Sequence, residues 1–240
     1  MTLTRTDLGE PVPRHRELPI EDVWYAVAHR TYLPVPEHPP LRTFFDVVEA
    51  RETRRDFQSV GLDVLSTLLW FTAKTRRMVT LPSGFVWQHR PVPSAGGRHP
   101  IDLLVLCPVD GRWVVSVYDE MAHALCELQV DSLAVEAFVQ AVFQVIPPGD
   151  GTIIWQVAHP WRTLAKYECG ESLVWRDSGV LLGHLTLVGE ALDLNCCPLG
   201  ITGHDHIRRL MGMSDVVGMG GCVVGSRGKG DGRAGLAGGR

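Results

Sequence analysis

Three short stretches of this 240-residue chain bring together residue types that can do chemistry. The first, Ala50-Arg51-Glu52-Thr53-Arg54-Arg55-Asp56-Phe57, sets three arginines and a hydroxyl just past a short amphipathic segment. Guanidinium forks beside a hydroxyl donor are the combination a phosphate monoester needs, because each fork gives paired, charge-assisted hydrogen bonds. The same stretch also reads as a solvated charge run at a helix C-terminus, where cations favour the dipole. The second, His89 to Pro100, brackets Ser94, Ala95, Gly96 and Gly97 between prolines. Glycines leave backbone N–H groups open to close approach, so such a loop can press on a flat ligand, although an ordinary turn has the same composition. The third is Lys166-Tyr167, a base and a phenol side by side, which could move a proton or simply be a surface lysine and a half-buried tyrosine.

Other chemistries are absent from the pattern. The His89 to Pro100 loop is not a GxGxxG fingerprint and no GxxxxGK[ST] occurs, so neither a Rossmann dinucleotide site nor a P-loop is supported. There is no GxSxG elbow and no HExxH, and the close pair His204 and His206, beside Asp205 and ahead of Arg208-Arg209, reads as a solvated loop rather than a metal site. Six cysteines lack CxxC spacing, which predicts free, mostly buried thiols in a reducing cytoplasm. A net charge of −4 gives no footprint for nucleic acid or an anionic membrane. The first nineteen residues have no basic-then-apolar pattern, so no signal peptide is expected, and the apolar stretch Gly179 to Leu194 is too interrupted to span a bilayer.

These residues must be held by elements that periodicity locates. Helices are expected over Glu21 to Tyr32, Thr43 to Arg51, Leu62 to Lys74, Asp131 to Gln144 with an Asp131 cap, and Asp177 to Leu194. Strands are expected over Ile101 to Cys107, Arg112 to Tyr118, Thr152 to Ala158 and Val216 to Val224, the first two joined as a hairpin through Asp110-Gly111. The mixture is α+β. The chain divides into a Pro-rich lead-in over 1–40, a main domain over 41–225, and a Gly-rich basic tail over 226–240 expected to be mobile by itself.

Taken in order, the motifs resemble the nitroreductase-fold flavoproteins and, within them, the SagB-type dehydrogenases that oxidise azoline rings. Arg51-x-Thr53-x-Arg55-x-Phe57 resembles the fold's phosphate motif, and Pro93-Ser94-Ala95-Gly96-Gly97 is similar to the subfamily's Pro-Ser-Ala-Gly-Gly loop, the most specific match in the chain. Lys166-Tyr167, Arg176-Asp177-Ser178-Gly179 and Ala191 to Gly200 follow in the family's order. The resemblance runs from about Thr43 to Gly225. It implies a central, mostly antiparallel sheet flanked by helices in an intertwined homodimer. It also implies FMN, with Arg51, Thr53, Arg54 and Arg55 at the phosphate end and Pro93, Ser94, Ala95, Gly96 and Gly97 along the ring. Arg227 or Lys229 would be the C-terminal basic residue on the phosphate.

For this subfamily the implied reaction is dehydrogenation of a thiazoline or oxazoline to the azole in a small molecule or modified peptide, with Lys166 and Tyr167 handling the proton. An NAD(P)H-driven nitro or quinone reductase is the alternative, and a flavin-free scaffold subunit is a third. The chain has Gly183-His184 where relatives carry Gln-Asn, and Leu192-Asp193-Leu194 replaces Leu-Gly-Leu. It also lacks the extra N-terminal peptide-binding region of larger relatives, so a peptide substrate implies a separate leader-binding or cyclodehydratase partner. No nucleic-acid or membrane partner is expected.

Overall fold

The computed structural model describes residues 8–20, 23–81 and 84–228. In chain order the elements are β1 (Val12–Pro13), β2 (Val27–Tyr32), α1 (Phe44–Ala50), α2 (Leu62–Thr72), β3 (Arg77–Thr80), β4 (Val86–His89), β5 (Ile101–Val109), β6 (Arg112–Asp119) and β7 (Ala124–Leu128). There follow α3 (Ser132–Phe143), β8 (Thr152–Ala158), α4 (Pro160–Leu164), β9 (Tyr167–Glu168), α5 (Glu171–Ala191), β10 (Leu194–Pro198), α6 (His204–Met211) and β11 (Val217–Ser226). Seven strands form one sheet in the order β10-β11-β8-β5-β6-β7-β2, antiparallel at every step. The expected α+β class with a central antiparallel sheet is present.

The sheet is covered on both faces, and this explains why β5 and β8 are apolar at nearly every position. Leu103 and Val105 of β5 point toward α2 and α5, packing with Leu65, Leu69, Leu181 and Leu185. Leu104 and Leu106, one residue out of phase, point toward α3 and α6 and pack with Phe138, Val142, Ile207 and Leu210. Trp155 and Phe138 meet edge to face at 4.9 Å in that second layer, an arrangement worth about 1 kcal/mol beyond area burial. The Asp131 carboxylate accepts from the Leu133 N–H at the start of α3, as its cap position predicts. Asp110 and Gly111 adopt φ of 48° and 76°, the left-handed pair that closes a tight hairpin.

Four expectations are corrected. Glu21 to Tyr32 is not a helix: Glu21 and Asp22 lie outside the described residues, and Val27–Tyr32 is an edge strand paired with β7. Its six residues are all exposed, so a helical apolar face there would have buried nothing, whereas the β7 edge offers backbone partners. The long helix begins at Glu171 and ends at Ala191. Asp193, at φ 56°, then turns the chain so that Leu194 opens β10. The His204 to Arg209 segment is the helix α6, bounded by Gly203 and Gly212, both at φ 62°. Finally, Ser226 belongs to β11, with Arg227 and Gly228 following it; the remainder of the expected mobile tail, 229–240, lies outside the described residues.

Candidate active site

The proline-bracketed loop folds as a 3₁₀ turn over Ala95–Gly97, with Gly96 and Gly97 at φ 62° and 66°. One buried carboxylate, Asp177 of α5, organises it. The Ser94 hydroxyl donates to Asp177 Oδ2 at 2.5 Å, and the Ala95 N–H donates to Oδ1 at 3.1 Å. Ser94 Oγ in turn accepts the His99 N–H at 2.8 Å. Burial pushes the Asp177 carboxyl up, and the Ser94 and Ala95 hydrogen bonds oppose that shift.

The loop's second glycine pair member faces the Trp87 indole, and its first faces the third motif. A Cβ on Gly96 would lie 2.9 Å from Tyr167 Oη and 3.0 Å from Lys166 Nζ. Two motifs separated by some seventy residues therefore meet at Gly96, whose positive φ of 62° strains any other residue. Lys166 and Tyr167 are both half-buried, and Lys166 Nζ lies 5.7 Å from the Tyr167 ring centroid.

Backbone from the lead-in fixes that pair from behind. β1 pairs with β9, placing Pro13 opposite Tyr167. The Arg14 N–H donates to Lys166 O at 2.7 Å, and the Leu18 N–H donates to Ala165 O at 2.8 Å. Arg14 also donates from Nε to Leu164 O at 2.9 Å and pairs with Glu168. Glu17 meets Arg98 at 2.5 Å, and the Arg98 guanidinium stacks 3.9 Å from the Phe85 ring. Sequence reasoning missed this strap, because a two-residue strand carries no periodicity.

Beneath the loop lies a buried polar cluster. Asp102 accepts from Arg162 and from Tyr25 Oη, at 2.5 and 2.6 Å, and His159 Nε2 lies 3.0 Å from it. Burial alone would raise the Asp102 carboxyl, but Arg162 and His159 outweigh it and hold the group well below the usual carboxylate range. Arg162 also donates to His99 O at 3.3 Å, which ties the cluster to the end of the loop.

The arginine motif lies at the other end of α5. It lies outside any helix or strand, and its side chains separate: Arg51, Thr53 and Arg55 are exposed, whereas Arg54 turns inward to Glu190 at 2.7 Å. Phe57 anchors the motif, buried where Cβ atoms on Gly151 or Gly225 would approach it within 2.7 and 2.6 Å. Asn195 Nδ2 donates to Asp56 O at 2.6 Å. Arg227 reaches this end as well, with Nη2 2.9 Å from Glu190 Oε2 and Nη1 3.1 Å from Asp193. Lys229 lies outside the described residues. Of the five basic and hydroxyl residues placed at the phosphate end, three face outward and two, Arg54 and Arg227, are engaged by Glu190. Glu190 escaped sequence reasoning because one acid in an apolar helix looks like solvated punctuation.

The departure at Asp193 has a physical account. Its left-handed φ of 56° is the conformation a glycine adopts freely and Asp tolerates, and its carboxylate gains Arg42 and Arg227 as partners. His184 is half-buried, and burial pulls its imidazole down. The six cysteines are free, four of them buried, with Cys169 exposed. Among the described residues no group of His, Cys, Asp or Glu could hold a metal, and no helix is long and apolar enough to cross a membrane.

The family model described as the nitroreductase family matches residues 48–226. Among solved structures, one described as a nitroreductase from Ralstonia eutropha JMP134 aligns with a TM-score of 0.64 at 19% identity, covering 89% of this chain and 99% of that one. A nitroreductase structure from Anabaena variabilis ATCC 29413 gives 0.57 at 18%, covering 68% of this chain and 34% of that one. A chain of the E. coli microcin synthetase McbBCD complex with truncated pro-MccB17 bound gives 0.57 at 13%, covering 87% of this chain and 79% of that one. No curated protein sequence matches.

Proposed function

The chain belongs to the nitroreductase family of FMN-dependent oxidoreductases, and from that premise we propose that it dehydrogenates an azoline ring to the azole in a modified peptide or related natural product. The observation that carries this reading is the packing of Lys166 and Tyr167 against Gly96 of the Pro-Ser-Ala-Gly-Gly loop. A reductase that takes its electrons from a nicotinamide has no need of a base beside the ring. An azoline oxidation does, because a carbon-bound proton must leave along with the hydride. The likeness to a chain of the microcin synthetase complex, bound to its pro-peptide, agrees with a substrate of this kind.

The residues present fit FMN. Arg51 and Thr53 are exposed, with no side-chain partner among the described residues, and Arg55 is exposed beside Cys197. Two guanidiniums and a hydroxyl facing outward from one segment are a donor set suited to a phosphate monoester. Pro93 to Gly97 would lie along the ring, and Arg54 and Arg227 would support the phosphate end. When bound, FMN supplies the two-electron acceptor.

The protein's own contributions are position and proton transfer. Asp177 holds Ser94 and Ala95, and so fixes the loop on which the ring would rest. The strap's hydrogen bonds to residues 164–166 hold Lys166 at that loop. Lys166 in its neutral form would take the ring proton at Nζ, with Tyr167 Oη beside it to share or orient that proton. Holding both reactants in fixed contact converts an encounter into a local step.

A second copy of the chain would complete the site. Leu41 and the α1 residues Phe44, Phe45 and Val48 form an apolar face, with Leu41 95% and Phe45 75% exposed. Exposed apolar patches of this kind mark interfaces. A peptide substrate would bring a further leader-binding or cyclodehydratase partner. The experiment is purification followed by a visible spectrum and mass spectrometry of the released cofactor. A yellow protein releasing FMN is expected; a colourless protein that cannot be reconstituted would favour a scaffold subunit and reject the enzyme.

A further inference from the structure

Glu190 is 2% exposed, yet three guanidiniums converge on its carboxylate. Oε1 accepts from Arg42 at 2.9 Å. Oε2 accepts from Arg54 at 2.7 Å and lies 2.9 Å from Arg227 Nη2. Burial by itself would raise this carboxyl, but the hydrogen bonds from Arg42 and Arg54, with the Arg227 charge beside them, outweigh it and hold the group below its ordinary value.

The three arms come from separate parts of the chain. Arg42 precedes α1, Arg54 follows it, and Arg227 follows β11, so α1 is tied to the C-terminal turn of α5 at both of its ends. Arg54 is also the inward residue between Thr53 and Arg55. Thr53 and Arg55 on either side of it are exposed, so fixing Arg54 fixes the backbone from which they project. The other acids nearby, Glu52 and Asp193, are each 68% exposed at the side chain and are screened by water. The buried carboxylate is therefore what holds Arg54 in place. Glu190 itself is a poor neighbour for a phosphate, since like charges repel, so its action must pass through the arginines.

We propose that Glu190 is the positioning residue of the phosphate end: it fixes Arg54 and thereby keeps Arg51, Thr53 and Arg55 turned outward as a preformed receptor for a phosphate monoester. Arg54 and Arg227 then serve Glu190 more than they serve the ligand. This rests on the reading that Arg51, Thr53 and Arg55 receive the FMN phosphate. It goes beyond that reading by giving a role to a residue that touches no ligand.

The test compares FMN with riboflavin, which has the same ring and ribityl chain but no phosphate. Dissociation constants of both are measured by flavin fluorescence quenching for the apo forms of the wild type, Glu190→Gln and Glu190→Asp. The wild type is expected to prefer FMN strongly. Glu190→Gln is expected to weaken FMN by about tenfold or more, the scale of one or two lost charge-assisted hydrogen bonds, with riboflavin changed less than about twofold. Equal weakening of both ligands would show a merely structural role and overturn the inference. So would an unchanged or increased preference for FMN, which would make Glu190 a competitor for the arginines. If Glu190→Gln does not fold, Glu190→Asp decides by the same ratio: it keeps the charge but draws the carboxylate back by one methylene, and a fall of about threefold is expected. An unchanged ratio there overturns the inference. A wild type that binds both flavins equally would instead remove the phosphate reading itself, and this inference with it.

Discussion

The two ends of helix α5 hold the two halves of the proposed site by different physics. Near its N-terminus Asp177 organises the glycine loop through a hydroxyl and a backbone N–H, both neutral donors. Thirteen residues later, roughly 20 Å along the axis, Glu190 gathers the guanidiniums of the proposed phosphate end. Burial dominates the first carboxylate and pushes it up, whereas ionic hydrogen bonds dominate the second and hold it down. The contrast teaches that one rigid element can serve a neutral, shape-based contact and a charged one together. It also separates how the two ends should fail. The ring end should respond to the loss of geometry, and the phosphate end to the loss of charge.

The largest expected effect lies at the ring end. Lys166→Ala should leave the protein yellow and lower turnover by about a hundredfold or more, the usual scale for losing a general base; steady-state assay alongside flavin content checks this, and unchanged turnover would remove the proton-transfer role. Next, Arg55→Ala should weaken FMN by about ten- to a hundredfold, for a lost charge-assisted contact of roughly 1.5–3 kcal/mol. A variant that keeps full flavin occupancy after extensive dialysis would contradict the phosphate assignment.

A third prediction concerns pH and the loop's exit. Burial, with Arg90 beside it, pulls the His99 imidazole down to about 3. The unfolded chain protonates the same group near 6.5, so it binds more protons than the folded chain between those values. The contribution of His99 to stability is therefore complete above about pH 6.5 and declines as pH falls toward 3, by up to about 1.4 kcal/mol per pH unit. Urea unfolding midpoints across that range should fall accordingly. His99→Asn, which tolerates the positive φ of 42° at this position, should flatten the slope; an identical slope would assign it to other groups.

The smallest effect should come from Asp193→Gly. The substitution relieves a left-handed residue but removes exposed ion pairs to Arg42 and Arg227. Each effect is on the order of 1 kcal/mol or less, so the midpoint should move by no more than that. A large loss would place the phosphate end's stability on Asp193 rather than Glu190.

What the sequence disclosed follows the same division. Elements whose apolar residues face a filled layer were legible: α3 with its Asp131 cap, the β5–β6 hairpin through Asp110-Gly111, and β8. Val27–Tyr32 was not, because an edge strand with every residue exposed has no burial pattern to read. At the proposed site, motif order singled out the loop, the Lys166-Tyr167 pair and the arginines. What held them stayed hidden. The β1–β9 pairing is two residues long, Glu17 meets Arg98 across 81 positions, and Glu190 gathers partners from segments as far apart as Arg42 and Arg227. Such contacts depend on how the chain is wound, and local spacing does not encode them.

The most direct test of the azoline dehydrogenase reading is anaerobic mixing of the FMN-loaded protein with a thiazoline-containing peptide, following flavin absorbance together with peptide mass. The account predicts bleaching of the flavin band and a loss of about 2 Da from the peptide as two hydrogens leave the ring. A flavin that is indifferent to the thiazoline peptide but is bleached rapidly by NAD(P)H, and then turns over a nitroaromatic, would contradict it.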